Sequence, residues 1–281
     1  MIRVVTDTNA GLTVEEAEAL GVKMAPILVH MGDRTLRDAF DVTPEAYIEM
    51  LKQAQTLPTT SQPSVGVFEA IYRELFDEGA DEIISIHLSA GLSGTYQSAR
   101  TAAQTFPAGK VHVFDTRMAS GIVAVMVMEA VEMAEQGADA EAILAMLEAR
   151  RDKAHLFFLV DTLEYLHKGG RIGGASRFLG TLLKIKPILY LEDGKIEALE
   201  QQRTARRAFR RLQELGIETA KQYEQVDLVI FEIDTGGKAE QLAEALRSQL
   251  NVRRFFACKV GPGLSTHTGP GALGIGIIGI E

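Results

Sequence analysis

Glu82-Ile83-Ile84-Ser85-Ile86-His87-Leu88-Ser89-Ala90-Gly91-Leu92-Ser93-Gly94-Thr95 decides the fold. Glu82–Leu88 is apolar enough for a buried strand, and the glycine and hydroxyl residues after it open a helix expected over Ser93–Gln104. A strand that feeds through a short glycine loop into a helix is half of a βαβ unit. The same alternation extends in both directions. Upstream, Ile2–Thr6 is expected as a strand, and Thr13–Leu20 as a helix with Thr13 as N-cap and Glu16 closing a capping box. Val22–Val29 is expected as one strand ending at the turn Met31-Gly32-Asp33-Arg34. Helices should follow from Thr43-Pro44-Glu45 to about Ala54, and from Ser61-Gln62-Pro63-Ser64 with Val67, Ile71 and Leu75 on one face. Downstream come a strand at Lys110–Asp115 and a helix at Ser120–Gln136. This pattern gives an N-terminal three-layer α/β/α domain with a parallel sheet, assigned to residues 1–152.

The remainder is less regular. A polar helix at Asp139–Lys153 leads to a strand at His155–Val160. Lys186–Leu191 and Lys195–Leu199 flank Glu192-Asp193-Gly194, an Asp-Gly hairpin signal. Helices are expected at Thr204–Tyr223 and Lys238–Leu250, with strands at Asp227–Ile233, Arg253–Val260 and Leu273–Ile280. Hairpins mixed with crossovers imply a C-terminal two-layer α/β domain with a mixed sheet, assigned to residues 153–281, with helices mainly on one side. In Leu273-Gly274-Ile275-Gly276-Ile277, glycine on alternate positions should leave one face bare enough for another backbone or an alkyl chain.

The 281 residues carry a formal charge of −9, which argues against a nucleic-acid surface. Cys258 is the single cysteine, so there is no internal disulfide, and a buried apolar role in a reducing cytoplasm is expected. The N-terminus MIRVVTDTNAG lacks the apolar core and cleavage site of a secretory signal, and no apolar run reaches about 18 residues, so a cytoplasmic protein without a membrane span is expected. Gly169-Gly170-Arg171-Ile172-Gly173-Gly174 has the wrong spacing for a dinucleotide fingerprint and follows a short helix. No phosphate loop occurs, and His30, His87, His112, His155, His167 and His267 lack metal-ligand spacing. No metal and no cofactor are expected.

Three loops carry the residues that binding sites use. Thr59-Thr60-Ser61-Gln62-Pro63-Ser64 holds more hydroxyls than a helix cap requires. In Ser89–Thr95, Gly91 and Gly94 let backbone approach a ligand, while the Ser93 hydroxyl and free helix amides can hold an anion; a plain N-cap is the lesser reading of Ser93. Gly261–Gly271 should form a rigid loop displaying Ser265-Thr266-His267-Thr268. Ser93 and His267 also allow a second reading, an acyl hydrolase with Asp7 as orienting acid, although Thr95 replaces the last glycine of a GxSxG elbow. Met118, Met126 and Met128 could line an acyl tunnel or simply fill a helix core.

Taken in order, Val5-Thr6-Asp7-Thr8-Asn9, Thr60-Ser61-Gln62-Pro63-Ser64, Leu92–Ala99, Asp115–Gly121, Leu163–Leu166 with Gly169–Ile172, and His267–Gly271 resemble the DegV family of fatty-acid-binding proteins. His167 departs from the lysine or arginine expected there. The resemblance implies two α/β domains around an acyl tunnel, with a carboxylate held at Thr60, Ser61, Ser93 and Gly94 and by the loop of His267 and Thr268. It implies no catalytic residue of the chain's own. It also implies a carrier role, in which a separate ATP-dependent kinase subunit converts the bound acid (palmitate, stearate or oleate, for example) to an acyl phosphate for phospholipid synthesis. Arg171, in a glycine-rich loop expected to be exposed, and Arg203, which opens the run Arg203, Arg206, Arg207, Arg210 and Arg211, are the expected docking residues for that subunit. A lipid-sensing regulatory module is a third reading.

Overall fold

A computed structural model of the chain describes residues 1–179 and 185–281. The first half runs β1 (Ile2–Asp7), α1 (Val14–Ala19), β2 (Lys23–Ala25), β3 (Leu28–Met31), β4 (Arg34–Arg37), α2 (Pro44–Gln53), β5 (Thr59–Ser61), α3 (Val65–Asp77), β6 (Glu82–His87), α4 (Thr95–Ala103), β7 (Val111–Asp115), α5 (Gly121–Glu135) and α6 (Ala140–Asp152). The second runs β8 (Ala154–Leu159), α7 (Glu164–Lys168), β9 (Lys186–Glu192), β10 (Lys195–Gln202), α8 (Ala205–Ala220), β11 (Gln225–Glu232), α9 (Lys238–Arg247), β12 (Val252–Lys259), α10 (Pro262–Thr268) and β13 (Leu273–Ile280).

β2-β1-β6-β7 form a parallel sheet. Its strands alternate their buried residues between two layers. Ile83 packs with Phe68, Tyr72 and Leu75 of α3 and Ala99 of α4, whereas Ile84 and Ile86 face Ile122 and Met126 of α5. The second sheet, β10-β9-β8-β13-β11-β12, is antiparallel except for the parallel pair β11–β12. α8 and α9 cover one face through Leu212, Leu242 and Leu246. The other face meets α5, because Phe158, Leu189 and Phe231 belong to the same buried cluster as Ile122 and Met126. All seven residues Gly121–Val127 are buried. A helix that is apolar all round needs apolar neighbours all round, and α5 finds them by lying between the two sheets. The result is the expected α/β class, a parallel sheet followed by a mixed one.

Four local expectations are corrected. Val22–Val29 is two strands in different sheets, β2 beside β1 and β3 in a small antiparallel sheet β4-β3-β5; Pro26, which has no N–H for a ladder, lies between them. Thr59–Ser61 is not a helix start but β5, paired with β3, and α3 begins only after Ser64, whose Oγ accepts the Val67 N–H. The buried face of α3 is Phe68, Tyr72 and Leu75. Gly261–Gly271 is not an open loop, since Pro262–Thr268 is helical with Pro at its first turn. Finally, the glycine face of β13 is filled by protein. A Cβ on Gly274 would lie 1.9 Å from Phe231 Cζ, and one on Gly276 2.5 Å from Ile122 Cγ1. The Cys258 sulfur packs 2.9 Å from the position a Gly11 Cβ would take, and burial pushes its thiol up to about 11. Among the described residues, no helix is long and apolar enough to cross a membrane.

Candidate functional site

The ends of β1, β5 and β6 converge with α10 around one pocket. Its lining includes Thr60 and Ser61 from β5, Ser93 from the loop before α4, and His267 and Thr268 from α10, which brings together five of the six residues expected to hold a carboxylate. The sixth, Gly94, caps α4 beside it. A Cβ there would stand 2.8 Å from Gln62 Nε2, so glycine lets the Gln62 side chain close over the helix start.

The hydroxyls are individually held. Thr60 Oγ1 is 2.7 Å from His267 Nε2. Ser61 Oγ is 2.9 Å from His30 Nε2. Ser93 is not the N-cap of α4; its Oγ accepts the Thr95 N–H at 3.3 Å and lies 2.9 Å from Thr95 Oγ1. Thr268 Oγ1 donates to the Leu264 carbonyl at 3.1 Å. Burial, with the Arg171 charge nearby, pushes the His267 imidazole down to about 4, so it is neutral at pH 7. Among the described residues its Nδ1 has no hydrogen-bond partner, and it sits so close to Gly169 that a Cβ there would be 2.3 Å away.

Arg171 is half-buried in the pocket wall rather than displayed on an exposed loop. Its Nε donates to the Leu92 carbonyl at 3.2 Å and its Nη1 to the Gly169 carbonyl at 2.8 Å. Among the described residues lining the pocket it is the charged one, and no carboxylate faces it. Arg203 is exposed on the connection between β10 and α8, away from this lining. Gly91, expected to approach a ligand, instead abuts the β9–β10 turn. A Cβ there would be 2.5 Å from the Gly194 carbonyl oxygen, which also accepts the Ser89 hydroxyl at 2.6 Å.

Beside the polar pocket lies an apolar slot against the second sheet. Its walls include Leu92, Leu156, Phe158, Phe231 and Leu264, and it shares Leu92, Ile196, Leu264 and Thr268 with the pocket. Met118, Met126 and Met128 pack in the core and line neither cavity.

The hydrolase arrangement does not form. Asp7 Oδ2 pairs with His87 Nδ1 at 2.9 Å, and His87 Nε2 meets Ser85 Oγ at 2.7 Å, all three fully buried. His267 bonds Thr60, and Ser93 bonds Thr95. Two pocket residues, Asn9 and Gln62, fall within motifs of the sequence without being expected as contacts. Asn9 is buried in a 3-10 turn after β1 and lines the pocket, and Gln62 does so from beside β5. Neither has a local signal of contact beyond its polar side chain.

A pocket of hydroxyls, a neutral imidazole and one guanidinium, sharing a wall with an apolar slot, is matched to an amphiphile with an anionic head. The molecule is thus an α/β protein of two unlike main sheets and one small one, with an amphiphilic cleft lined from both halves of the chain. Residues 1–279 match the family described as "Uncharacterised protein, DegV family", and the chain belongs to the DegV family. It is 37% identical over 274 residues to a DegV domain-containing protein of Halalkalibacterium halodurans, covering 98% of this chain and 97% of that one. Among solved structures it is similar to a DegV family protein of Thermus thermophilus described for its fatty acid binding (38% identity, TM-score 0.93, 99% of each chain). DegV of Bacillus subtilis, described as a fatty acid binding protein, matches at 33% identity and TM-score 0.90 over 99% of each chain.

Proposed function

We propose that this protein binds one long-chain fatty acid, such as palmitate, stearate or oleate, and presents its carboxylate to an ATP-dependent kinase subunit that forms an acyl phosphate for phospholipid synthesis. The observation that carries the reading is that the polar pocket and the apolar slot are neighbours sharing Leu92, Ile196, Leu264 and Thr268 as wall residues, in a chain whose similar structures are described as binding fatty acid. Burying the roughly fourteen methylenes of palmitate contributes about 11 kcal/mol gross at ~0.8 kcal/mol each. Association entropy offsets a large share of that. The carboxylate loses hydration in the pocket, and donors at Thr60, Ser61, Ser93, Gly94 and His267 compensate at about 0.5–3 kcal/mol net per bond, while Thr268, whose hydroxyl donates to the Leu264 carbonyl, lines the wall beside them. The tail therefore supplies most of the affinity, and the head contacts fix where the carboxylate oxygen stands relative to a phosphate donor.

That division of labour supports a carrier over a hydrolase, because the nearby Ser, His and Asp side chains are committed to other partners. The experiment is a titration of lipid-free protein with palmitate, followed by addition of the kinase subunit and ATP. Saturation at one acid per chain, with acyl phosphate formed only when all components are present, is the expected result. Turnover of model esters by the protein alone would favour the hydrolase, and binding without acyl phosphate would favour a lipid-sensing module.

A further inference from the structure

Behind Ser61, outside the pocket lining, stands His30 of β3. Its two ring nitrogens are both engaged, Nε2 with Ser61 Oγ at 2.9 Å and Nδ1 with Thr35 Oγ1 at 3.0 Å. The three residues cross the small sheet on one face. His30 pairs directly with Thr35 of β4 and with Thr59 of β5, and Ser61 is two residues beyond Thr59, its diagonal neighbour.

A serine hydroxyl has a single proton, and a carboxylate can only accept. If Ser61 donates to His30, it offers nothing to an anionic head. A neutral imidazole has one donor and one acceptor nitrogen, and the partner of one nitrogen sets the role of the other. Thr35 is exposed, and in one tautomer of the ring its hydroxyl donates to Nδ1. Nε2 then carries the hydrogen and donates to Ser61 Oγ, leaving the Ser61 O–H to point into the pocket. His267, by contrast, has no partner at Nδ1 among the described residues.

We propose that His30 is a positioning residue that holds Ser61 as a hydrogen-bond donor to the ligand carboxylate, and so favours a fatty acid over its uncharged alcohol. The proposal rests on the fatty-acid reading of the pocket.

The test measures palmitate and 1-hexadecanol affinity by competition on lipid-free wild type, His30→Ala, His30→Gln, Ser61→Ala and the His30→Ala/Ser61→Ala double variant. One donor to a charged group lost should weaken palmitate about tenfold in His30→Ala, while hexadecanol stays near its wild-type affinity. His30→Gln, whose amide restores a donor near the Nε2 position, should recover most of the palmitate affinity. In the Ser61→Ala background, His30→Ala should add little, because both changes remove the same contact. Unchanged palmitate binding in His30→Ala, equal losses for acid and alcohol, no recovery with Gln, or additive losses in the double variant would each overturn the assignment. Wild type that binds neither probe would instead bring down the fatty-acid reading itself, and the assignment with it.

Discussion

Ser93 and Asp38 show what single side chains contribute to this site. Ser93 stands in the pocket with its oxygen already accepting the Thr95 amide, so a ligand carboxylate meets a fixed hydroxyl. Ser93→Ala should weaken palmitate by about 1.5–3 kcal/mol, roughly ten- to a hundredfold, and the corresponding alcohol far less. Equal losses for the two in parallel titrations would remove Ser93 from the head-group contacts. Asp38 supports α10 from behind. It is buried, and its Oδ2 accepts the Gly263 N–H at 3.0 Å. Burial pushes its carboxyl up to about 7. The folded state therefore holds a proton that an unfolded Asp, at about 3.9, has lost, and this residue's share of stability falls as pH rises from about 4 to 7. Asp38→Asn keeps a carbonyl acceptor and cannot ionise. Its urea midpoint should exceed that of wild type at pH 8 and approach it near pH 5; the same gap at both values would contradict the burial argument.

Among the elements, β13 ties stability to the shape of the slot. Gly274 lets the Phe231 ring lie flat on the strand, and Phe231 is a slot wall. Gly274→Ala must push that ring away, and overpacking of this kind costs about 1–3 kcal/mol. Loss should appear both in the denaturation midpoint and in a lower preference for palmitate over laurate, whereas a neutral outcome in both would place Phe231 elsewhere. The alternating glycines are visible in the sequence, but what fills their face is set by strand order, which the sequence does not display. The same limit separates the elements that were legible from those that were not. Thr13 with Glu16 forms the full capping box, and Asp193-Gly194 turns the β9–β10 hairpin, because both signals are local. β5 has only three residues and is a strand only because β3 pairs with it. α10 is short and bounded by glycines that suggest a loop, although Pro262 at its first turn is a helix signal. At the site, the hydroxyls and His267 stand out as clusters, while Asn9, Gln62 and the inward place of Arg171 depend on how distant loops meet.

At the scale of the whole molecule, α5 joins the sheets into one buried cluster, and charged groups reinforce the junction. Arg253 of β12 contacts both the buried Asp227 of β11 at 2.5 Å and Glu129 of α5 at 3.2 Å, and Arg150 of α6 holds Glu129 at 2.6 Å. The cleft thus lies between two halves that are packed together, and its head-group end is where a partner must reach. Arg203 is exposed on a chain of net charge −9. Arg203→Ala should leave palmitate binding unchanged and lower acyl phosphate formation with the kinase subunit. Arg171→Ala, from the pocket wall, should lower both; Arg203 losing fatty-acid binding as well, or neither activity, would end its docking role. A carrier role requires that the cleft hold a fatty acid. Mass spectrometry of an organic extract of folded protein purified from a bacterial host tests it most directly. The expected result is one long-chain fatty acid per chain, and an extract without fatty acid from protein that also fails to take up added palmitate or oleate would contradict it.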